Sequence, residues 1–112
     1  MSALKITTRD AAGGPVLEIS GELDYANAAQ LRELIPTIGL RPGQRLTLDL
    51  DGMEFCDSSG ITAMIAARNH AHAAQAGIAL AAVPAHFLRV LRIVGLDQIF
   101  TIDAGDETAT RS

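Results

Sequence analysis

The chain predicts an α/β fold, a small mixed β-sheet of about five strands packed against three to four helices. Three observations point there. Two short strand-like runs open the chain, separated by Gly13-Gly14-Pro15, and helix-period and strand-period segments then alternate to the end. The 112 residues are 48% apolar but hold no Trp, one Tyr and three Phe, so the core must be built mainly from Leu, Ile, Val and Ala.

The elements follow in order. Leu4 to Thr8 alternates weakly, and Val16-Leu17-Glu18-Ile19-Ser20 is a second run of strand character, with the glycines and proline between them marking a turn. Asp24 is placed as an N-cap, because Ala28, Leu31, Leu34, Ile35 and Ile38 recur at the three- and four-residue spacing of one helix face. Pro36 lacks an N–H and crowds the carbonyl four residues back, so this helix is expected to end or kink near Ile35. Leu46-Thr47-Leu48-Asp49-Leu50 puts three leucines on one face at a period of two, the clearest strand in the sequence.

A second helix is expected from Asp57-Ser58-Ser59-Gly60 through Ile61, Met64 and Ile65 to Gln75, with Gly77 placed to stop it. Ile78 to Val83 is a further strand. Pro84 opens a third helix whose Phe87, Val90, Leu91 and Val94 form the expected core stripe, and Gly95 closes it. Ile99 to Ile102 is the last strand. The expected domain runs over residues 1–103, and residues 104–112 are too poor in apolar surface to offset ordering, which predicts a flexible tail.

Composition excludes several classes of function. The net charge of −4 comes from interspersed acids and bases, giving no electrostatic reason to approach nucleic acid directly. No apolar run reaches the roughly 18–20 residues that span a bilayer, and residues 1–12 lack the apolar stretch of a signal peptide. A soluble, cytoplasmic protein without membrane insertion is expected. Cys56 is the only cysteine, which forbids an intrachain disulfide and leaves a thiol metal site without partners.

Rival chemistries find little support. A nucleophile elbow needs Gly two residues before the serine, and Cys56 stands there before Ser58. His70 and His72, two apart on a helix, point to different faces and make a poor metal pair, while His86 has no evident catalytic companion. No catalytic residue, metal or cofactor is expected. Gly13-Gly14 precedes a strand rather than a helix, so it marks a turn and not a phosphate loop. Cys56, without a cationic neighbour, is expected to be a small packing residue, and Arg89 and Arg92 a solvated helix face.

Phe55-Cys56-Asp57-Ser58-Ser59-Gly60-Ile61 is the most informative stretch, because it leads into a helix. A helix N-terminus leaves backbone N–H groups unpaired and carries partial positive charge. A side-chain oxygen there can cap the helix, and a phosphate there would find donors. Residue type alone leaves both uses of Asp57 and Ser58 open.

Ser20-Gly21-Glu22-Leu23-Asp24, followed about 30 residues later by Met53-Glu54-Phe55-Cys56-Asp57-Ser58-Ser59-Gly60-Ile61, resembles the STAS domain of anti-sigma factor antagonists. The order of elements, the length and the Gly95-Leu96 turn match as well, so the resemblance covers about residues 3–102 and implies a STAS-like sandwich. It implies a non-enzymatic bacterial regulator of sigma-factor-dependent transcription, working by partner switching. The unphosphorylated domain would bind an anti-sigma factor that is also a serine kinase and supplies the ATP site. Phosphorylation of Ser58 would release it, and a PP2C-type phosphatase would reset it. Asp24, Asp57, Ser58, Ser59, Gly60 and Ile61 would contact the partner, with Gly60 leaving the helix entrance open to the partner's backbone. Thr62 stands where many members carry Gly, a bulkier residue on the first helical turn. The resemblance also admits a STAS scaffold or accessory subunit of a lipid or anion transporter that works without phosphorylation.

Overall fold

The computed structural model describes residues 3–103. Strands β1 (Lys5–Ala11) and β2 (Gly14–Leu23) form an antiparallel hairpin, and helix α1 (Ala28–Leu34) follows. Strands β3 (Arg45–Asp49) and β4 (Met53–Cys56) lead into the long helix α2 (Ser58–Ala73). Strand β5 (Gly77–Ala81), helix α3 (Ala85–Val94) and strand β6 (Thr101–Ile102) complete the described chain. The tail expected over 104–112 lies outside the described residues.

The sheet order is β1-β2-β3-β5-β6, with β4 pairing beside the far end of β2. All pairs except β1–β2 are parallel. The crossovers from β2 to β3, β3 to β5 and β5 to β6 all step the same way. Because parallel crossovers are right-handed, helices on such a path stack on one face of the sheet. Leu17, Leu48 and Leu80 sit side by side in register on that face, each fully buried, and join Leu31, Met64, Phe87 and Leu91 in one core. The alternate residues Glu18, Thr47 and Asp49 face the other way and are half-buried.

The leucine alternation of β3 is therefore as the sequence predicts, and Pro36 falls in a short 3-10 turn, Ile35–Thr37, that ends α1. Gly95 adopts φ +81° at the end of α3, the left-handed position expected of it.

Other expectations are corrected. Helix α1 starts at Ala28 behind Asn27, and Asp24 is not its cap. Helix α2 is stopped by Gln75 in a left-handed conformation, φ +60°, while Gly77 already begins β5. Strand β4 was not expected, bringing the strands to six. The segment from Leu96 to Gln98 is a 3-10 turn that shortens the last strand to two residues. On α3 the inward residues are Phe87, Leu88 and Leu91, whereas Val90 and Val94 are exposed.

Candidate functional site

Two parallel strand ends build the site. Leu23 of β2 lies beside Cys56 of β4, so the chain leaves both strands at one place: through Asp24–Asn27 toward α1, and through Asp57 into α2. Asp57 ties these exits together. Its backbone N–H donates to the Leu23 carbonyl at 3.2 Å. Its carboxylate Oδ1 accepts the N–H groups of Ser59 at 2.8 Å and Gly60 at 3.1 Å, and Oδ2 accepts the Tyr25 N–H at 3.0 Å.

The sequence left Asp57 and Ser58 as alternative caps of α2, and the cap is Asp57. Ser58 is the first helical residue and exposed, and its hydroxyl makes no hydrogen bond among the described residues. Of the first-turn N–H groups, Ser59 and Gly60 donate to Asp57 and Ile61 bonds the Asp57 carbonyl at 3.1 Å, leaving the Ser58 N–H. The donors expected to await a phosphate are thus mostly taken by Asp57. Thr62, one turn on and exposed, donates its hydroxyl to the Ser58 carbonyl at 3.0 Å.

The remaining predicted residues gather at the same place with different exposures. Ser59 is half-buried, and Ile61 is half-buried with its side chain packed on the core. Gly60 is buried, and a Cβ there would come within 2.5 Å of Cys56 Sγ and 2.8 Å of Leu23 Cγ. Its lack of a side chain serves the packing of α2 onto β2 and β4. Gly60→Ala is accordingly expected to cost about 1–3 kcal/mol through overpacking, measured by urea denaturation against wild type.

Asp24 is half-buried and shapes the turn before α1. Its Oδ1 accepts the Ala26 N–H at 3.0 Å and its carbonyl accepts the N–H groups of Asn27 and Ala28. The Asn27 side chain locks this turn back onto the strand, accepting from the Asp24 N–H at 2.9 Å and donating to the Glu22 carbonyl at 2.8 Å. Sequence reasoning missed two members of the site. Tyr25 and Phe55 flank the Asp57–Ser58 junction and are 85% and 49% exposed. Phe55 stands in the motif stretch without a role read from it, and the only signal at Tyr25 is an aromatic residue outside any helix or strand period.

Cys56 is half-buried, and burial followed by the neighbouring Asp57 charge pushes its thiol up to about 12. That suits a packing residue and not a nucleophile. His70 places Nε2 2.8 Å from the Ile38 carbonyl, joining α2 to the segment after α1, which is a structural task.

The fold and this junction define a class, and comparison with known proteins agrees with it. A family model described as "Mlab, STAS domain" matches residues 6–102, and the chain belongs to the STAS domain family. It is 29% identical over 100 residues to the anti-sigma-F factor antagonist RsfB of Mycobacterium tuberculosis, covering 89% of this chain and 81% of that protein. Its fold is similar to that of an anti-sigma factor antagonist from Mycobacterium paratuberculosis, with a TM-score of 0.76 at 24% identity over 98% of this chain and 96% of that one. It is also similar in fold to part of the murine anion transporter Slc26a9, with a TM-score of 0.71 at 21% identity, over 92% of this chain and 18% of that one.

Proposed function

We propose that this protein is an anti-sigma factor antagonist, a non-enzymatic regulator of sigma-factor-dependent transcription whose partner binding is switched at Ser58. In its unmodified form it binds an anti-sigma factor that is also a serine kinase and carries the ATP. Phosphorylation of Ser58 releases it, and a PP2C-type phosphatase restores the binding form. The observation that carries this reading is the exposed Ser58 hydroxyl, relieved of structural duty because Asp57 caps the helix. A modifiable serine must be reachable, and its modification must not dismantle the helix start. Ser58 is exposed, and the side chain that caps the helix is that of Asp57, which supports both conditions. The likeness to the antagonist RsfB supports the same role.

Ser58→Ala tests it. The variant is expected to fold normally, because the cap stays with Asp57, and to bind the anti-sigma factor without being released by ATP. With the kinase and ATP, intact mass should show one added phosphate on wild type and none on the variant. Undiminished phosphate on the variant would move the acceptor elsewhere. No phosphate on either protein would overturn the switch and favour a scaffold or accessory role at a lipid or anion transporter.

A further inference from the structure

Two exposed aromatic residues adjoin the Asp57–Ser58 junction, Tyr25 through its hydrogen bond to Asp57 and Phe55 through the chain. The chain holds four aromatic residues, and the other two, Phe87 and Phe100, are buried. Tyr25 is the most exposed large apolar residue among those described, at 85%. Its backbone is nonetheless held in place. Asp57 accepts its N–H, Asp24 accepts the N–H of Ala26, and the Asn27 side chain braces the turn from behind. Phe55 is fixed differently, in β4 beside Glu22 of β2.

Both rings lie within reach of one partner. Phe55 precedes Ser58 by three residues, so their Cα atoms are at most about 11 Å apart. Tyr25 is bonded to the residue adjoining Ser58. An ordinary patch of about 800 Å² has a radius of about 16 Å, wide enough to take in the surface at both positions when centred on Ser58. Aromatic residues on ordered backbone are the usual energetic anchors of such patches, since they bury much area at little cost in freedom.

Charge narrows the partner further. Residues 21–26 and 53–62, which form the site, contain Glu22, Asp24, Glu54 and Asp57 but no Lys or Arg. Asp57 accepts three backbone N–H groups and Asp24 accepts one, and Glu22 lies in register beside Phe55. A complementary surface therefore offers apolar pockets rimmed by Lys or Arg.

Resting on the antagonist reading above, we infer that Tyr25 and Phe55 are the apolar anchors by which this protein binds its anti-sigma partner, which meets them with apolar pockets and a basic rim. Phosphorylation at Ser58 then acts within the contact, near the anchors.

The test is calorimetric binding of the purified anti-sigma kinase, without ATP, to wild type, Tyr25→Ala, Phe55→Ala and Glu22→Gln, at low and high salt, with thermal melts of each protein alone. Both alanine variants should melt like wild type and lose about tenfold or more in affinity. Wild-type affinity should fall as salt rises, and the fall should be shallower for Glu22→Gln. Should one alanine variant melt early, the other still decides the anchoring. Wild-type binding with neither alanine variant weakened would overturn the anchors while leaving the antagonist reading intact, and salt-independent binding would overturn the basic rim. If wild type itself fails to bind, the antagonist reading falls and takes this inference with it.

Discussion

Leu48→Asp is expected to abolish the folded state, leaving no cooperative thermal transition. Leu48 is fully buried in β3, with Leu17 and Leu80 beside it in register on the neighbouring strands. The buried polar and charged side chains among the described residues number none, so no cation or donor awaits a carboxylate there. An unpaired buried charge costs more than an unbonded polar group, itself about 2–7 kcal/mol. Lost leucine packing adds about 2–5 kcal/mol, by analogy with truncation to alanine. A domain of this size has about 5–15 kcal/mol to lose. Thr47→Asp, one residue earlier, is the control. Thr47 lies on the opposite, half-buried face in register with Val16 and Ala79, where a carboxylate keeps contact with water. It should lower the melting temperature by far less. Equal loss in the two variants would mean that both faces of the strand are equally buried, and a greater loss at Thr47 that the strand is turned over.

How much of this was legible in the sequence depended on whether one physical rule acted alone. β3 was legible because its leucines alternate without exception and both neighbouring strands bury the same face. The end of α1 was legible because proline has a local and inescapable effect. α3 was misread because Val90, Leu91, Ile93 and Val94 put aliphatic residues on more than one side of a short helix, so spacing alone did not select the Phe87-Leu88-Leu91 side. β4 was missed because it has four residues, of which Met53 is buried while Glu54 and Phe55 are exposed, too short and mixed for a period. At the site, the residues were found but several of their tasks were not. A long-range hydrogen bond from Tyr25 to Asp57 depends on β2 and β4 ending together, a tertiary fact with no local signature.

Phosphorylating Ser58 is expected to abolish binding of the anti-sigma partner while hardly altering the domain itself. A phosphoserine adds a charge of about −1.5 to −2 at pH 7. At a helix N-terminus such a charge gains about 0.3–2 kcal/mol from the dipole. Here the neighbouring Asp57 carboxylate repels it and already holds two of the first-turn N–H groups, so the gain is offset. Ser58 is exposed, its hydroxyl makes no bond that the phosphate would break, and the capping geometry does not pass through it. The free domain therefore has no reason to rearrange. In the inferred complex the same group sits within the contact that Tyr25 and Phe55 anchor and must shed its water against a surface shaped for a hydroxyl. On the inferred arrangement the apolar pockets, and not the basic rim, face that position. Leaving a buried charge without a partner costs about 3–5 kcal/mol. At about 1.4 kcal/mol per tenfold, this weakens binding by about two to three and a half orders of magnitude without any relay through the fold. Backbone NMR shifts and partner affinity, compared between phosphorylated and unmodified protein, check the expectation together. Shifts confined to residues near Ser58, Asp57 and Tyr25, with affinity lost, agree with a local charge mechanism. Shifts spread along α1 and α3, or affinity retained within about threefold, less than 1 kcal/mol, would contradict it.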